Sequence, residues 1–323
     1  MEHDFPIKTI LDTDIGGDVD DAAAVSMINI WGQQGIIEPL AIISCISSRW
    51  SAGAIDAINR YFDHPEIPVG INRRSRLLDQ ELAKTYTRYL TRHYSNRYKT
   101  VDAEDAVSVY RRVLAQQPDH SVQIVSIGML TTVAQLLKSG PDLYSPLDGK
   151  KLVQQKVYRL VSMAGNFIPY YSEADWYTID VEWNIDMDVL SAKYVAEHWP
   201  VDMVWSGFET GGGVMTGKQL IDTAPQDHPV RKAYRLFTNG VDRISCDLAT
   251  LHYAVLGTPE YWELSPRGAV LLDEQGRTTL DTSSHKKNHQ YLIKKVDDQV
   301  IKAEVDRVMN VLPLRYQKGG IEK

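Results

Sequence analysis

The sequence predicts an α/β protein with a single open, mainly parallel (mixed) sheet that is flanked by helices. Short apolar runs alternate with amphipathic stretches, an order that is typical of βα units around a parallel sheet. Hydrophobic residues make up 43% of the chain, which is enough for a sizeable core. No low-complexity linker, charge block or internal repeat divides the sequence. We therefore expect residues 1–323 to form one domain.

The predicted strands are short apolar runs that end at polar or turn-forming residues, and in chain order they are Ile7–Leu11, Leu40–Ser44, Ile67–Gly70, Val122–Ile127, Tyr158–Met163 and Val201–Trp205. The predicted helices carry apolar residues at helical spacing, and they are Ala22–Ile30, Ser51–Phe62, Ala103–Ala115, Leu130–Lys138, Val189–His198 and Leu248–Leu256. Residues 271–292 are polar, which indicates a small hairpin or surface excursion before a last helix at Asp297–Val311.

Charge and cysteine content exclude several classes of function. The formal net charge of −7, without a dense Lys/Arg block, argues against a nucleic-acid partner. Two cysteines, Cys45 and Cys246, imply no disulfide framework and fit a reducing compartment. No stretch has the apolar length needed to cross a bilayer, and residues 1–6 do not resemble a signal peptide. We therefore expect a cytoplasmic protein that binds neither membrane nor nucleic acid.

The most informative segment follows the first apolar run. Residues 12–21 hold five aspartates and two adjacent glycines, between a predicted strand and a predicted helix. Helix N-capping would explain one or two aspartates, but five carboxylates in one loop repel one another. An all-oxygen ligand set suits a hard cation such as Ca²⁺ or Mg²⁺, although the EF-hand pattern is absent. Since ligands of parallel sheets lie beyond the carboxyl ends of the strands, the loop predicts a metal or catalytic site.

Four motifs in order resemble those of the inosine/uridine-preferring nucleoside hydrolases. The first, from Ile10 to Ala22, is similar to the family's D-x-D-x-G-x-D-D-A but has two additional residues within Gly16–Val19. The other three are Met129-Leu130-Thr131-Thr132, Gly165-Asn166 with Glu182-Trp183-Asn184, and Cys246-Asp247. The resemblance spans residues 7–256. It implies a Rossmann-like nucleoside hydrolase fold, calcium-dependent N-ribohydrolase activity, and a homodimer or homotetramer.

The resemblance also implies a role for individual residues. Asp14 would bind the metal and act as general base on the attacking water. The calcium ligands would be Asp14, Asp21, the Thr131 carbonyl and Asp247. The ribose hydroxyls would be bound by Asp20, Asn166, Glu182 and Asn184. Ordinary structural roles stay open: a helix cap for Thr131 and Asp247, a turn for Asn166, and exposed surface for Glu182 and Asn184.

Several residues depart from the family pattern or have no assigned role. Cys246 stands where relatives often carry a histidine that protonates the departing base, and a thiol is a weak donor with a pKa near ~8.5. Cys246 and Trp183 are the first candidates for the leaving-group site. Further candidates, in no particular order, are Trp50, Tyr170, Trp176, Tyr177 and His252. Asp12 is expected to support the loop, whereas Asp18 fits either a supporting role or solvent.

Two further segments follow predicted strands. Residues 207–213 are glycine-rich, but they lack a P-loop pattern, so we expect a structural turn. Residues 47–50 read Ser-Ser-Arg-Trp where the family usually places an asparagine near the ribose. Arg49 at this position is consistent with an anionic or differently substituted substrate.

The leading hypothesis is an enzyme of nucleoside metabolism, acting in purine or pyrimidine salvage, that releases a free base and ribose through an oxocarbenium-like transition state. A non-catalytic calcium- and sugar-binding protein on the same fold is the main alternative. It is motivated by Cys246 and by Thr132, which replaces the family's asparagine. A D-x-D phosphatase is a weaker alternative, because no convincing catalytic lysine follows. The sequence does not indicate which base is preferred.

Overall fold

A computed structural model describes residues 6–75, 86–168 and 180–318 of the chain. In these residues nine strands form one sheet. Neighbouring strands run parallel, apart from one strand that lies antiparallel at an edge. The predicted fold class, an open and mainly parallel sheet flanked by helices, is therefore confirmed.

The strands of the described residues are β1 (Ile7–Thr13), β2 (Ile37–Ser44), β3 (Val69–Ile71), β4 (Glu104–Asp105), β5 (Val122–Ser126), β6 (Val157–Met163), β7 (Asp202–Ser206), β8 (Met215–Thr216), β9 (Arg243–Ile244), β10 (Trp262–Leu264), β11 (Ala269–Leu272), β12 (Thr278–Asp281) and β13 (His289–Lys294). The helices are α1 (Asp20–Gln33), α2 (Arg49–Tyr61), α3 (Tyr86–His93), α4 (Ala106–Ala115), α5 (Thr131–Leu137), α6 (Gly149–Lys156), α7 (Trp183–Asp186), α8 (Val189–His198), α9 (Lys218–Thr223), α10 (Pro229–Thr238), α11 (Cys246–Leu256), α12 (Asp298–Met309) and α13 (Leu314–Lys318). Within the described ranges, no helix is both long and apolar enough to cross a membrane.

The core lies on both faces of the sheet. Successive side chains of a strand point to opposite faces, so Ile10 and Ile43 belong to one buried cluster, while Leu11 and Ile42 belong to the other. Helices cover both clusters, as the continuous apolar runs of the central strands require.

The strand order of the main sheet, β10-β13-β7-β6-β5-β1-β2-β3-β4, places a crevice beside β1. From β1 the chain builds β2, β3 and β4 on one side, and β5, β6 and β7 on the other. The connections on either side of β1 therefore diverge above the carboxyl ends of β1 and β5, which is where open α/β sheets bind ligands. The acidic loop predicted as a site begins at this point.

Two of the differences from the prediction change the strands of the main sheet. Within residues 271–292 we expected only a hairpin or surface excursion, but His289–Lys294 joins the main sheet beside β7, and only β11 and β12 form the hairpin. The predicted helix Ala103–Ala115 begins instead at Ala106. Glu104–Asp105 pairs with β3, and the Asp105 carboxylate accepts the Ser108 N–H at 3.1 Å as a helix cap.

His289 makes the stability of the fold dependent on pH. It is fully buried, and its Nδ1 accepts the Val270 N–H at 3.1 Å, which requires the neutral ring. Burial lowers its pKa from about 6.5 to about 3. The unfolded chain therefore binds a proton that the folded chain excludes, so this stability is present above pH 6.5 and is lost as the pH falls towards 3.

We predict that His289→Gln reduces the pH dependence of the free energy of unfolding. From pH 7 to pH 5 the variant should lose about 2 kcal/mol less than the wild type, because glutamine does not titrate. Urea unfolding at both pH values measures this. The exposed His285, substituted in the same way, serves as the control. An equal loss in the wild type and His289→Gln would show that His289 is not held neutral.

Candidate functional site

A cavity of about 430 Å³ opens at the carboxyl edge of the sheet. The β1–α1 loop forms one side, the chain before and within α7 forms another, and the region from Arg243 to Asp247 closes a third. The lining residues are Asp14, Gly17, Asp18, Asp20, Asp21, Ile127, Met163, Val181, Glu182, Trp183, Asn184, Asp186, Phe208, Arg243, Ile244, Cys246 and Asp247.

The β1–α1 loop is folded by its own hydrogen bonds. The Thr13 hydroxyl donates to the Asp21 carboxylate and accepts the Ile15 N–H at 3.1 Å. The Gly17 N–H donates to the Asp14 carbonyl at 3.0 Å, which closes a tight turn. Gly16 has a φ of +119°, a value that glycine adopts readily and other residues rarely do. These contacts bring the start of α1 back against the end of β1.

Asp14 is packed between two glycines. A Cβ on Gly17 would lie 2.8 Å from the Asp14 Oδ2 atom. A Cβ on Gly128, after β5, would lie 2.6 Å from the Asp14 nitrogen and 2.8 Å from the Cys45 sulfur. Only residues without a side chain allow the backbone this close. Asp14 is 5% exposed, and burial raises its pKa to about 7.

Asp12 supports the loop from the core side. Its carboxylate accepts the Tyr110 hydroxyl at 2.6 Å and the Thr132 hydroxyl at 2.5 Å, and burial raises its pKa to about 7. Asp12 does not line the cavity. Asp12 was expected to support the loop, and its contacts agree with that role. Thr132, which stands where the family has an asparagine, has a structural role as a hydrogen-bond donor to Asp12.

Asp20, Asp21 and Asp247 form a buried carboxylate cluster. One oxygen from each lies within 4.8 Å of the others. The Asp247 N–H donates to Asp20 Oδ2 at 3.2 Å, so the start of α11 faces the start of α1. Burial, with repulsion between neighbouring carboxylates, raises the pKa of all three well above the ordinary range.

The cluster fits a divalent cation. None of the three carboxylates forms a salt bridge with a cationic side chain of the described residues. Buried carboxylates left without a counter-charge are costly, and oxygen ligands of this kind are those that Ca²⁺ and Mg²⁺ prefer. Asp20 was predicted to bind ribose, and the structure places it beside the predicted ligands Asp21 and Asp247.

The fourth predicted ligand residue is Thr131, whose backbone carbonyl was expected to bind the metal. Thr131 begins α5, and its hydroxyl donates to Asp188 at 2.5 Å. It does not appear among the described residues that line the cavity. Asp14, in contrast, lies on the same wall as the carboxylate cluster.

Some of the residues predicted to bind ribose line the cavity, and others do not. Glu182 and Asn184 line the cavity, whereas Asn166 does not. Glu182 caps α7 by accepting N–H groups from Asn184 at 2.7 Å and from Gly165 and Ile185 at 3.2 Å, and burial raises its pKa to about 7. Asn184 donates its amide to the Met163 carbonyl at 3.0 Å. The backbone of Asn166 is held by Thr278 of β12, whose hydroxyl accepts the Asn166 N–H and donates to the Asn166 carbonyl, both at 3.0 Å.

Both first candidates for the leaving-group site line the cavity. Cys246 is 5% exposed, and burial with nearby carboxylates raises the pKa of its thiol. Trp183 is 52% exposed. His252 is buried behind the site, where its Nδ1 accepts the Trp262 indole N–H at 3.3 Å and burial lowers its pKa to about 4. Trp50 does not line this cavity, and Tyr170, Trp176 and Tyr177 lie outside the described residues.

The sequence did not indicate the role of Arg243. Its guanidinium makes a bidentate pair with Asp18, with N–O distances of 2.6 to 3.1 Å, and both residues line the cavity. Asp18 belongs to the two-residue insertion, so the pair holds that insertion against β9. The only signal in the sequence was that Asp18 had no assigned role, because its partner Arg243 lies 225 positions away.

The glycine-rich segment is a structural turn, as expected. A Cβ on Gly211 would lie 2.4 Å from the Cys246 Cα and 2.8 Å from the Ser245 carbonyl oxygen. The segment therefore packs directly beneath the start of α11 and helps to place Asp247.

Known proteins resemble the chain in sequence pattern and fold. A family model described as inosine-uridine preferring nucleoside hydrolase matches residues 9–303. No curated protein sequence matches at a significant level. Among solved structures, an inosine-uridine preferring nucleoside hydrolase from Bacillus anthracis has a TM-score of 0.67 and 15% identity, over 94% of this chain and 99% of that one.

Two other solved structures are similar to the same extent. A purine-preferring ribonucleoside hydrolase from Gardnerella vaginalis has a TM-score of 0.68 and 17% identity, over 94% of this chain and 98% of that one. The type III effector protein XopQ, solved in complex with adenosine diphosphate ribose, has a TM-score of 0.67 and 15% identity, over 96% of this chain and 94% of that one. At these identities the likeness establishes the fold.

We predict that Gly128→Ala displaces Asp14 and destabilises the protein. The added methyl group would overlap the Asp14 backbone, so the free energy of unfolding should fall by about 1–3 kcal/mol in a urea titration. Gly140→Ala is the matched control, since a Cβ there meets nothing within 4 Å. Equal stability of the two variants would contradict the close packing around Asp14.

Proposed function

The chain belongs to the inosine-uridine preferring nucleoside hydrolase family, and we propose that it hydrolyses the N-glycosidic bond of ribonucleosides with the help of a bound calcium ion. The observation that carries this proposal is the buried cluster of Asp20, Asp21 and Asp247 in the wall of a cavity large enough for a nucleoside. The products would be ribose and a free base.

The carboxylate cluster would hold the ion, and Asp14 would act beside it. When bound, a divalent cation lowers the pKa of a coordinated water molecule and orients sugar hydroxyls. Asp14 lies on the same wall, with its carboxylate over Gly17, and would accept a proton from the attacking water. Its position between Gly17 and Gly128 restricts its movement, so it would be preorganised for that transfer.

The charge of the cavity suits the transition state. Breaking the N-glycosidic bond develops positive charge on the ribose ring. Seven carboxylate side chains line the cavity against one guanidinium, that of Arg243, which is already paired with Asp18. Fixed negative groups stabilise a cationic transition state more than a neutral ground state. The same charge disfavours substrates that carry a phosphate group.

The opposite wall would bind the sugar and the base. Glu182 and Asn184 are fixed by backbone hydrogen bonds and face the same cavity as the cluster, so they would contact the ribose hydroxyls. The half-exposed Trp183 ring would stack on the base. Cys246 would contribute a neutral S–H group near the leaving base rather than a cationic acid.

We predict calcium-dependent release of ribose from inosine, uridine or adenosine that disappears in Asp14→Asn. A reducing-sugar assay with calcium and with chelator measures this, and the nucleoside 5′-monophosphates should react more slowly than their nucleosides. Asp56→Asn, at a buried carboxylate that pairs with Arg60 and Arg97 away from the cavity, is a control for carboxylate loss in general. Turnover that persists in chelator or in Asp14→Asn would contradict the mechanism.

A second function, ribosyl binding without turnover, is favoured by the protonated Cys246 thiol in the leaving-group position. XopQ, which has a similar fold, was solved with adenosine diphosphate ribose. Saturable binding of a nucleoside or of ribose in calorimetry, with no ribose released from any nucleoside, would favour this function over hydrolysis.

A further inference from the structure

The segment Ser47–Trp50 leads to a second cavity that the proposed hydrolysis does not use. This cavity, of about 290 Å³, lies beyond the carboxyl ends of β2 and β3 and shares no lining residue with the substrate cavity. We call it the arginine hollow, and its lining residues are Ser47, Arg49, Ala52, Ile71, Asn72, Arg73, Ser75, Tyr98, Val101, Asp102 and Ala103. Arg49 therefore does not line the cavity proposed to bind the nucleoside, although the sequence had suggested that Arg49 favours an anionic or differently substituted substrate.

Positive charge is concentrated at the arginine hollow. Two guanidiniums, those of Arg49 and Arg73, line it against one carboxylate, that of Asp102. Arg73 donates one N–H to the Ala103 carbonyl at 2.9 Å, which fixes its side chain but leaves its other donors. The neighbouring Arg74 is neutralised by a bidentate pair with Asp105 at 2.9 to 3.2 Å.

Arg49 also belongs to a second group of cations, in which three guanidiniums lie near the indole of Trp50; the other two, Arg88 and Arg92, do not line the hollow. Arg49, Arg92 and Arg88 lie 5.0, 5.4 and 5.8 Å from the centroid of Trp50. All three are exposed, and none forms a salt bridge with a carboxylate of the described residues. The ring attracts each cation, but the cations repel one another. An anion bound in the hollow beside Arg49 would reduce this repulsion, in a chain whose net charge is −7.

We propose that the arginine hollow binds the phosphate group of a small molecule. Guanidinium groups match phosphate oxygens through two parallel N–H bonds, and Arg49 and Arg73 present such groups from two elements of the fold. The Ser75 hydroxyl accepts the Asn72 amide at 2.7 Å and keeps its own O–H to donate. The volume suits a phosphate or a phosphorylated sugar rather than a whole nucleotide. Asp102 opposes the anion, so the affinity should be moderate and should fall with added salt.

The side chains below the hollow are held rigidly. Asn72 is buried and donates to the Cys45 carbonyl at 2.8 Å, while its Oδ1 accepts the Arg74 N–H at 3.1 Å and the Ser75 N–H at 3.2 Å. This network fixes the turn after β3 on which Arg73 and Ser75 lie. The site would therefore be preorganised, which reduces the entropy lost when a ligand binds.

Isothermal titration calorimetry of the calcium-loaded protein tests the proposal, with inorganic phosphate and ribose 5-phosphate as ligands at low ionic strength. We expect saturable binding that weakens by about tenfold or more in Arg49→Gln and in Arg73→Gln. Both residues are exposed, so the variants should keep the wild-type Tm. Arg307→Gln is the matched control, because it removes one exposed positive charge on α12. Tighter binding of ribose 5-phosphate would identify an organic phosphate, and tighter binding of inorganic phosphate would identify the free ion.

Three results would overturn the proposal, and the first two are no saturable binding of either ligand, and equal affinity in the wild type, Arg49→Gln and Arg73→Gln. Neither result depends on nucleoside hydrolysis, because the readout is heat of binding. Competition identifies a third contrary result, in which ribose alone displaces the phosphate ligand. That would place the ligand in the substrate cavity instead.

Discussion

The structure depends on the burial of several like charges at the carboxyl end of β1. Asp20, Asp21 and Asp247 are almost inaccessible to solvent, and Asp14 lies on the same wall. Taking ionised carboxylates out of water is unfavourable, and placing them together adds repulsion. A bound divalent cation would offset both costs. We therefore propose that the cluster holds an ion and that the ion-free protein is the less stable form.

The surrounding fold holds the clustered carboxylates in fixed positions. The Thr13 hydroxyl ties Asp21 to the end of β1, and the Asp247 N–H ties the start of α11 to Asp20. The Asp18–Arg243 pair joins the same two parts of the chain at the mouth of the cavity. Two segments that are distant in sequence are thus held together by several short contacts. Hydrolysis would need that arrangement, since a small displacement of catalytic groups strongly lowers the reaction rate.

Much of this arrangement could be predicted from local sequence. The alternation of apolar runs and amphipathic stretches indicated the parallel sheet, and the acidic loop indicated where its ligand site lies. What local patterns cannot give is the pairing of distant segments. Nothing in the sequence around Arg243 indicates that it pairs with Asp18. The residues of β13 have the composition of a surface strand, although β13 joins the main sheet beside β7. Asn166 follows a recognisable motif, yet its contacts depend on β12, a strand more than a hundred residues later.

The most direct measurement of the central claim is calcium binding by isothermal titration calorimetry. We expect one ion per chain, with affinity reduced by about a hundredfold or more in Asp21→Asn, because that variant removes a ligand from the buried cluster. Asp186→Asn removes a carboxylate from the same cavity but not from the cluster, and it should bind calcium nearly as the wild type does. Failure of the wild type to bind calcium, or equal affinity in Asp21→Asn, would contradict the account.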